Sequence, residues 1–376
     1  MENLINVFGS SYDMGFQQGK FFKKDIKNTF KRILSFEGIK TLKPKFLPKF
    51  IFGEILKNKL VQEWEKPIEI IMPDLKERLI GISDGSNIDI SELYVVQALE
   101  VLSDDVSLVS SSSCSCFAIL PERSEEKQLI IGKNFDFIND FKNDNLIRIS
   151  HPEKKYSSIE LTYKQIAGCH DGMNQKGLTV IYNYGVSTEK TQVRLPITLL
   201  VQKILQECET IEEALIVVKN FRYPNGAILL IADSKNNVIS VEITPEHIGL
   251  RYPEHGFIFN TNFYLSNEIK KYNIKKNTVY SSKAPKSIRG KRIHESNEIR
   301  YNRGVELIEK EKKISVEYLI NLLKDHNGFT EGNDNTICRH GGFFSTQVSG
   351  LFYPNSRKVL ICYGPPCKNE YRELGI

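Results

Sequence analysis

Two thiols lie close together in the run Ser113-Cys114-Ser115-Cys116-Phe117. Cleavage of the peptide bond before Cys114 would leave one residue that carries both a thiol and an α-amine. These groups have ordinary pKa values of about 8.5 and about 7.7 to 8.0, so near neutral pH the amine can accept the thiol proton. A thiolate made in this way can attack an amide carbonyl and form an acyl-enzyme. The segment therefore favours amide cleavage by a cysteine that activates itself.

Other interpretations of the two thiols compete with this one. Cys116 is the rival nucleophile, because two residues along a strand its side chain lies on the same face as that of Cys114. An isolated buried cysteine is more often a small apolar core residue than a catalyst. A metal site on this pair is disfavoured, since the spacing lacks a second group of ligands. The chain also lacks the glycine-rich motifs that bind dinucleotides or nucleotide phosphates. We therefore expect neither a metal nor an organic cofactor.

The composition is that of a globular protein. Of 376 residues, 40% are hydrophobic and 26% are charged, and no apolar stretch approaches the length of a transmembrane helix. This length predicts two domains, or one large domain with an appended segment. The first residues lack the features of a secretory signal, which predicts a cytoplasmic protein. Seven dispersed cysteines do not resemble a disulfide scaffold, so free thiols are expected.

Positive charge is concentrated in one segment. Residues 270–292 contain nine Lys or Arg and no acidic residue, whereas the net charge of the whole chain is only +5. Such a small net charge does not indicate a nucleic-acid partner. We interpret the segment as a solvated loop, with an anion or acidic-substrate site as the alternative.

The elements that would position these groups change in type along the chain. Residues 16–102 show the spaced apolar positions of helices, and a small-residue linker, 107–113, follows them. Beyond Cys114 the pattern predicts a hairpin from 117–120 and 129–131, and further strands at 158–162, 178–182, 228–233, 238–243, 347–353 and 358–363. Helices are predicted at 195–205, after a capping box of Thr210 and Glu213, and at 315–323. This arrangement predicts an α+β layered sandwich.

Four motifs occur in the order seen in one enzyme family. They are the segments Ser10–Gly19, Ser113–Ala118, Gly132–Phe137 and Thr336–His340. Together they resemble the isopenicillin-N acyltransferase family, a self-processing branch of the N-terminal-nucleophile hydrolases. The resemblance extends to the closing run Gly364–Cys367 and so covers almost the whole chain. A further segment, 171–178, resembles the related bile-salt hydrolases and penicillin V acylases.

The resemblance implies roles for several residues around the nucleophile. Cys114 matches the nucleophile, and Asp136 matches the acid that orients the freed amine. Asn262 matches a family position that stabilises the oxyanion, and Asn183 matches an asparagine of the bile-salt hydrolases. Neutral amide donors suit an oxyanion because they do not titrate. Each side chain also has a structural interpretation, since the asparagines could close turns and Asp136 could cap a backbone.

Two basic residues complete the implied site. Lys133 falls where bile-salt hydrolases have arginine, a change that keeps the charge and loses the planar fork. Arg339 matches a late arginine that steadies the surroundings of the nucleophile or binds a carboxylate, and a structural ion pair is its alternative. His326 and His340 invite a cysteine–histidine protease interpretation, but neither lies in a recognisable signature of that class.

Ser113 departs from the family pattern, in which glycine more often precedes the nucleophile. Self-cleavage starts with attack of the thiol on the carbonyl of residue 113, and glycine adopts unusual backbone conformations more easily than serine. The change predicts slow or absent processing. An unprocessed chain would have no Cys114 amine, and would be inert or would depend on another base.

The resemblance implies a four-layer αββα sandwich formed mainly by residues 114–376, with 1–113 as a helical pro-segment that becomes a separate subunit. The expected reaction is hydrolysis of a linear amide in a small acylated amine or amino acid through a Cys114 thioester, or acyl transfer if an amine outcompetes water. The expected partners are a small acyl amide and, for transfer, an acyl thioester donor, with no nucleic acid and no membrane. A non-catalytic or unprocessed binding protein and a cysteine–histidine peptidase stay open as alternatives.

Overall fold

The computed structural model describes residues 3–36, 43–98, 114–190 and 194–376. Ser113, the scissile bond and the predicted linker 107–113 lie outside the described residues. The first third of the chain is mostly helical, as the sequence predicts, but it opens with a strand. Its elements are β1 (Leu4–Gly9), α1 (Ser11–Phe21), α2 (Lys23–Ser35), α3 (Lys49–Ile71), α4 (Pro73–Ser86) and α5 (Ile90–Gln97).

One sheet has six antiparallel strands and begins directly after Cys114. The predicted hairpin forms its centre as β2 (Ser115–Ile119) and β3 (Ile130–Ile138). The other strands are β11 (Phe257–Asn260), β12 (Phe344–Tyr353), β13 (Lys358–Tyr363) and β14 (Tyr371–Gly375), and the order across the sheet is β11-β2-β3-β12-β13-β14.

The other sheet has eight strands, in the order β1-β4-β5-β6-β7-β8-β9-β10. Only the pair β1 and β4 is parallel among these described strands. The members after β1 are β4 (Asn145–Pro152), β5 (Ser158–Tyr163), β6 (Asp171–Asn174), β7 (Thr179–Gly185), β8 (Gly226–Ala232), β9 (Val238–Ile243) and β10 (Ile248–Arg251).

Helices cover the outer faces of both sheets. The remaining helices are α6 (Ile197–Glu207), α7 (Ile211–Lys219), α8 (Glu295–Lys310) and α9 (Val316–Leu323). Helices α8 and α9 pack on the six-stranded sheet, where Phe117 and Phe259 meet Ile308 and Leu319 in one apolar cluster. Helix α6 packs on β6 and β7 of the other sheet. The layers run helix, sheet, sheet, helix, so the predicted α+β sandwich is confirmed.

The predicted capping box of Thr210 and Glu213 forms only in part. The Thr210 hydroxyl accepts from the Glu213 amide at 3.3 Å, as the capping box predicts. The Glu213 carboxylate, however, accepts from the Glu209 amide at 2.6 Å, so the reciprocal bond goes to the residue before the cap. None of the described helices combines the length and the apolar character that crossing a bilayer requires.

A buried polar network joins the N-terminal helices to the eight-stranded sheet. The Arg148 guanidinium on β4 donates to the Glu160 carboxylate at 2.5 Å and to the Gln18 side chain of α1 at 2.8 Å. Arg78 of α4 donates to the Ser150 hydroxyl at 3.3 Å. These side chains are fully buried. A buried charge is tolerated when it is paired and hydrogen-bonded, so the N-terminal helices supply partners that the sheet needs.

Helices α1 and α4 cross at a contact made of glycines. Gly15 and Gly19 of α1 lie against the backbone of α4, and Gly81 and Gly85 of α4 lie against the backbone of α1. A methyl group on Gly15 would overlap the carbonyl of Arg78. The close crossing therefore tolerates no Cβ atom at these positions without movement of a helix.

We expect Gly81→Ala to lower the free energy of unfolding by about 1–3 kcal/mol, because the added methyl group must push the two helices apart. Chemical denaturation measures the change. Gly375→Ala is the matched control, since a Cβ atom there meets no atom within 4 Å, and it should change stability by less than about 0.5 kcal/mol. Equal effects of the two substitutions would contradict the close crossing.

Candidate active site

The implied site residues gather around β2 and β3 and lie on both faces of the six-stranded sheet. Cys114 precedes β2, and the pairing of β2 with β3 sets Cys116 opposite Lys133 and Ser115 opposite Asn134. Lys133 reaches across to β7 of the other sheet, where its ammonium donates to the Tyr182 carbonyl at 2.8 Å. The hairpin therefore places Lys133 between the sheets, whereas Asn134, whose Nδ2 donates to the Leu323 carbonyl at 2.9 Å, faces the helices on the outer side.

A buried arginine connects the nucleophile candidate to Asp136. The Nη1 atom of Arg300, on α8, donates to the Cys114 carbonyl at 2.7 Å and to the Ser115 hydroxyl at 2.7 Å. The same nitrogen lies 4.0 Å from Oδ2 of Asp136. The thiol of Cys114 makes a long contact of 3.8 Å with the Asp136 backbone carbonyl. One guanidinium therefore hydrogen-bonds the Cys114 backbone and lies at ion-pair distance from the carboxylate beside it.

Only one oxygen of the Asp136 carboxylate has a hydrogen-bond donor among the described residues. Oδ1 accepts from the Thr346 hydroxyl at 2.7 Å, whereas Oδ2 has no hydrogen-bond partner among the described residues. Burial raises the pKa of Asp136 to about 6, against the opposing charges of Arg300 and Arg339. A fully buried carboxylate oxygen without a donor is costly, and it is well suited to accept a new cationic partner.

Lys133 lies in a second buried cluster of charges. Its Nζ donates to Asn183 Oδ1 at 2.5 Å and lies 3.7 Å from Oδ1 of Asp171. The Asp171 carboxylate accepts from the Tyr182 amide at 2.9 Å. Burial lowers the pKa of Lys133 and nearby Asp171 raises it, with a net rise. Lys133 is therefore held as a cation beside Cys114.

The two thiols differ in their surroundings. Burial raises the pKa of Cys114, and the Lys133 ammonium opposes that rise. The pKa of Cys116 is raised to about 12 by burial. Both side chains are almost completely buried. Neither thiol is ionised near neutral pH without a base, so either one needs a proton acceptor in order to attack.

The two asparagines bridge the sheets. Asn183 Nδ2 donates to the Thr261 carbonyl at 3.0 Å. Asn262 Nδ2 donates to the Tyr184 carbonyl at 2.8 Å, and its Oδ1 accepts from Arg300 at 3.4 Å. A side-chain amide carries two N–H groups. Asn183 Nδ2 also donates to the Asn260 carbonyl at 3.5 Å, whereas the bond to Tyr184 uses only one N–H of Asn262. Asn262 and Cys114 thus share Arg300 as a hydrogen-bond donor.

Arg339 lies near this group and not in direct contact with Cys114. Its Nη2 donates weakly to Asp334 at 3.5 Å, and the guanidinium lies 5.0 Å from the centre of the Phe344 ring. Nε and Nη1 are buried without hydrogen-bond partners among the described residues. Arg339 lines a cavity of about 150 Å³ together with Ser296 and parts of the basic segment, Tyr280, Ile288, Lys291 and Arg292.

Three residues of the site were not predicted as such. Arg300 contacts Cys114, Thr346 contacts Asp136, and Asp171 lies beside Lys133. Asp171 begins the segment that resembles bile-salt hydrolases, which was the available signal for it. Nothing in the local sequence of α8 or β12 singles out Arg300 or Thr346.

The histidines considered for a protease lie elsewhere in the described structure. His340 Nε2 lies 3.4 Å from the thiol of Cys338 and 3.2 Å from that of Cys367. His326 packs edge-on against His340. Among the described hydrogen bonds, none joins either histidine to Cys114. The geometry therefore does not make His326 or His340 a hydrogen-bonded base for Cys114.

A comparison with protein families identifies the family of this chain. The family model described as "Acyl-coenzyme A:6-aminopenicillanic acid acyl-transferase" matches residues 123–368. The chain belongs to this acyltransferase family. The match begins after Cys114 and includes Lys133, Asp136, Asn183, Asn262 and Arg339.

Individual relatives of this acyltransferase-family chain are distant. "Protein dcd1A" of Dictyostelium discoideum is 20% identical over 268 residues, which cover 65% of this chain and 59% of that protein. Similar solved structures include an N-acylethanolamine-hydrolyzing acid amidase ortholog from Caenorhabditis elegans, 14% identical with a TM-score of 0.45, covering 64% of this chain and 93% of that one. A conjugated bile acid hydrolase from Clostridium perfringens is 14% identical with a TM-score of 0.42, covering 70% and 97%.

The raised pKa of Asp136 predicts how stability depends on pH. The pKa rises from 3.8 to about 6 in the folded protein, so the folded state binds this proton more tightly than the unfolded chain. Its stabilising contribution is fully present below about pH 4 and is lost as the pH rises through about 6. In a Cys114→Ala background, where no α-amine can form beside Asp136, the chain with Asp136 should lose about 3 kcal/mol of unfolding free energy across this window relative to the chain with Asp136→Asn.

Denaturant unfolding at pH values from 4 to 7 measures this difference. The exposed Asp140 provides the matched control. The difference in unfolding free energy between Asp140→Asn and its parent chain should stay constant across this pH range. A constant difference across the window between the Cys114→Ala chains with and without Asp136→Asn would show that the carboxyl is not shifted as described.

Proposed function

We propose that this protein is a self-processing cysteine amidohydrolase or acyltransferase. Its substrates are linear amides of small acylated amines or amino acids, and Cys114 forms a thioester with the acyl group. In this proposal residues 1–113 and 114–376 become separate chains. Membership of the acyltransferase family supports the reaction class, and the geometry around Cys114 supports the choice of nucleophile.

The observation that carries the proposal is the contact of Arg300 with both Cys114 and Asp136. Arg300 holds the Cys114 carbonyl at 2.7 Å, while Asp136, 4.0 Å from the same nitrogen, keeps one buried oxygen without a hydrogen-bond partner among the described residues. An α-ammonium on Cys114 would be a charged donor of the kind this carboxylate lacks. We infer that Asp136 accepts the amine that scission releases.

Processing would proceed through a thioester. The Cys114 sulfur attacks the carbonyl carbon of Ser113, the peptide C–N bond breaks, and the nitrogen takes a proton as the new α-amine. Water then cleaves the thioester, which leaves the carboxylate of Ser113 and the thiol of Cys114. Asp136 would orient the amine so that it faces the sulfur.

Turnover would repeat this chemistry on an external amide. The α-amine of Cys114 takes the thiol proton, and Lys133 favours the thiolate by its charge. The thiolate attacks the substrate carbonyl, and the remaining N–H of Asn262, with Asn183 as a second candidate, donates to the oxyanion. The amine product leaves with the proton. Water or an acceptor amine then releases the acyl group, and an acyl thioester can serve as the donor in the transfer reaction.

The cavity beside Arg339 is the proposed substrate entrance. Ser296 lines it and also accepts from Arg300 at 3.1 Å, so the cavity reaches the group around Cys114. Two buried nitrogens of Arg339 have no partners among the described residues, and a turn of the guanidinium toward the cavity would let them bind a carboxylate through charge-assisted hydrogen bonds. This favours substrates whose leaving group carries a carboxylate, such as acylated amino acids.

Cys114→Ala should abolish both processing and activity. Intact-mass analysis of the purified wild type should show two chains that divide before Cys114, and the variant should show one chain of 43.1 kDa. Hydrolysis of N-octanoylglycine should fall at least about 10³-fold, because the nucleophile is removed. Cys116→Ala is the matched control, and it should keep both the cleavage and the activity.

Other results would identify the alternatives. An active wild type that remains one uncut chain, or full turnover by Cys114→Ala, would refute the proposal. Absence of both cleavage and labelling by a thiol-reactive amide analogue would indicate a binding protein. Activity that survives Cys114→Ala and is lost in His326→Ala or His340→Ala would indicate a cysteine–histidine enzyme.

Arg339→Gln tests the carboxylate site. For N-octanoylglycine we expect kcat/KM to fall about 10- to 100-fold, the range of one charge-assisted hydrogen bond, mainly through KM. For N-octanoylglycinamide, which lacks the carboxylate, kcat/KM should stay within about twofold. Lys291→Gln is the control, since Lys291 lines the same cavity but is paired with Asp334 at 2.7 Å. An equal fall for both substrates would contradict carboxylate binding by Arg339.

A further inference from the structure

Four potential metal ligands converge from separate segments near the C-terminus. His326 follows α9, Cys338 and His340 precede β12, and Cys367 follows β13. One atom from each residue, a ring nitrogen or a sulfur, lies within 4.8 Å of all the others. The group is not recognisable in the sequence, because its spacing matches no familiar zinc motif and its members come from three separate segments.

Three of the distances, those among Cys338, His340 and Cys367, agree with a tetrahedral metal centre, and the remaining ones are at most 4.8 Å. The sulfurs of Cys338 and Cys367 are 3.6 Å apart, and Nε2 of His340 lies 3.4 Å from the first and 3.2 Å from the second. Zinc bonds of about 2.3 Å to sulfur and about 2.0 Å to nitrogen place two sulfurs about 3.8 Å apart and sulfur and nitrogen about 3.5 Å apart. The observed distances differ from these by a few tenths of an ångström. They are far longer than the sulfur–sulfur bond of about 2.05 Å in a disulfide.

The fourth member, His326, has a ring nitrogen that needs a partner. Its ring centre lies 5.1 Å from that of His340. Its Nε2 is buried and makes no hydrogen bond among the described residues. A buried polar atom without a partner is uncommon and calls for an explanation. A metal ion between the four side chains would supply one.

We propose that His326, Cys338, His340 and Cys367 bind one Zn²⁺ ion. Two thiolates and two neutral imidazoles form a set that suits zinc, and the two negative charges balance the dication. Each thiol releases its proton to solvent when the ion binds. Four protein ligands leave no coordination position for water or substrate, so the ion has a structural role.

The ion would fix the segment that carries Arg339. This residue lies between two of the ligands, and its backbone amide donates to the Thr346 hydroxyl at 2.9 Å. The same hydroxyl donates to Asp136 at 2.7 Å. Binding of zinc would therefore hold the Arg339 backbone, and through Thr346 the Asp136 carboxylate, in place. The inference about the metal itself does not depend on the proposed reaction.

Metal analysis of the untagged full-length protein tests the proposal. The wild type, produced with zinc in the medium, should retain about one zinc per chain after dialysis. Cys367→Ser and His340→Gln should each lose most of that zinc. Cys208→Ala and His255→Asn are the matched controls, because they remove a buried cysteine and an exposed histidine outside the cluster, and both should retain it.

X-ray absorption on the wild type provides a test that needs no variant. It should show two sulfurs at about 2.3 Å and two nitrogens at about 2.0 Å from zinc. Replacement of zinc by Co²⁺ should give the thiolate charge-transfer and d–d bands of a tetrahedral ion. A wild type without stoichiometric metal, retention of zinc in Cys367→Ser, or a different metal in the wild type would overturn the proposal. A denatured, unreduced chain lighter by two hydrogens, with Cys338 and Cys367 joined, would also overturn it.

Discussion

The site depends on a buried cation, Arg300, which donates to the Cys114 carbonyl and lies at ion-pair distance, 4.0 Å, from the Asp136 carboxylate. Charges without water or a partner are very costly in the interior. Here two cations, Arg300 and Lys133, are set among two anions, Asp136 and Asp171, and all four are buried. Removal of one member leaves another uncompensated, which typically costs about 3–5 kcal/mol. The charges therefore fix one another's positions, and Cys114 is placed by this arrangement.

The N-terminal third is part of the same fold and not an appendage. Strand β1 is an edge strand of the eight-stranded sheet, and Gln18 and Arg78 belong to the buried network around Arg148 and Glu160. These contacts do not involve the bond before Cys114. If that bond is cut, the two chains stay associated, because separation would leave Arg148 and Glu160 without several of their buried partners. Processing would change the chemistry at Cys114 and leave the scaffold intact.

The apolar periodicity of the sequence predicts many of the strands and helices, but it predicts only part of the site. Alternation predicts the β2–β3 hairpin, and so the positions of Lys133 and Asp136 relative to Cys114. Helix α8 was missed because its buried face is Asn297, Arg300, Gly304 and Ile308. This face is mostly polar, so the apolar spacing that reveals a helix is absent. Arg300, which contacts Cys114, is therefore carried by a helix that apolar spacing does not reveal.

The four proposed zinc ligands were missed for a different reason. They come from three segments, and only tertiary packing brings them together. Sequence patterns detect metal sites when ligands are close in the chain, as in repeated pairs of cysteines. His326 and His340 attracted notice only as possible bases, and Cys338 and Cys367 only as parts of family motifs. Without the fold, nothing links these observations.

A β-bulge explains how Thr346 reaches Asp136. The pairing of β12 with β3 shifts between Thr346 and Val348, so that Thr346 lies opposite Asp136 and Val348 lies opposite Phe135. Continued without the extra residue, the register would place Gln347 opposite Asp136. Side chains alternate between faces, so Thr346 would then point away from the carboxylate. One inserted residue thus gives Asp136 its hydroxyl donor, and the same hydroxyl accepts the backbone amide of Arg339. The bulge is the point at which the strand geometry, the carboxylate and the segment with the proposed metal ligands meet.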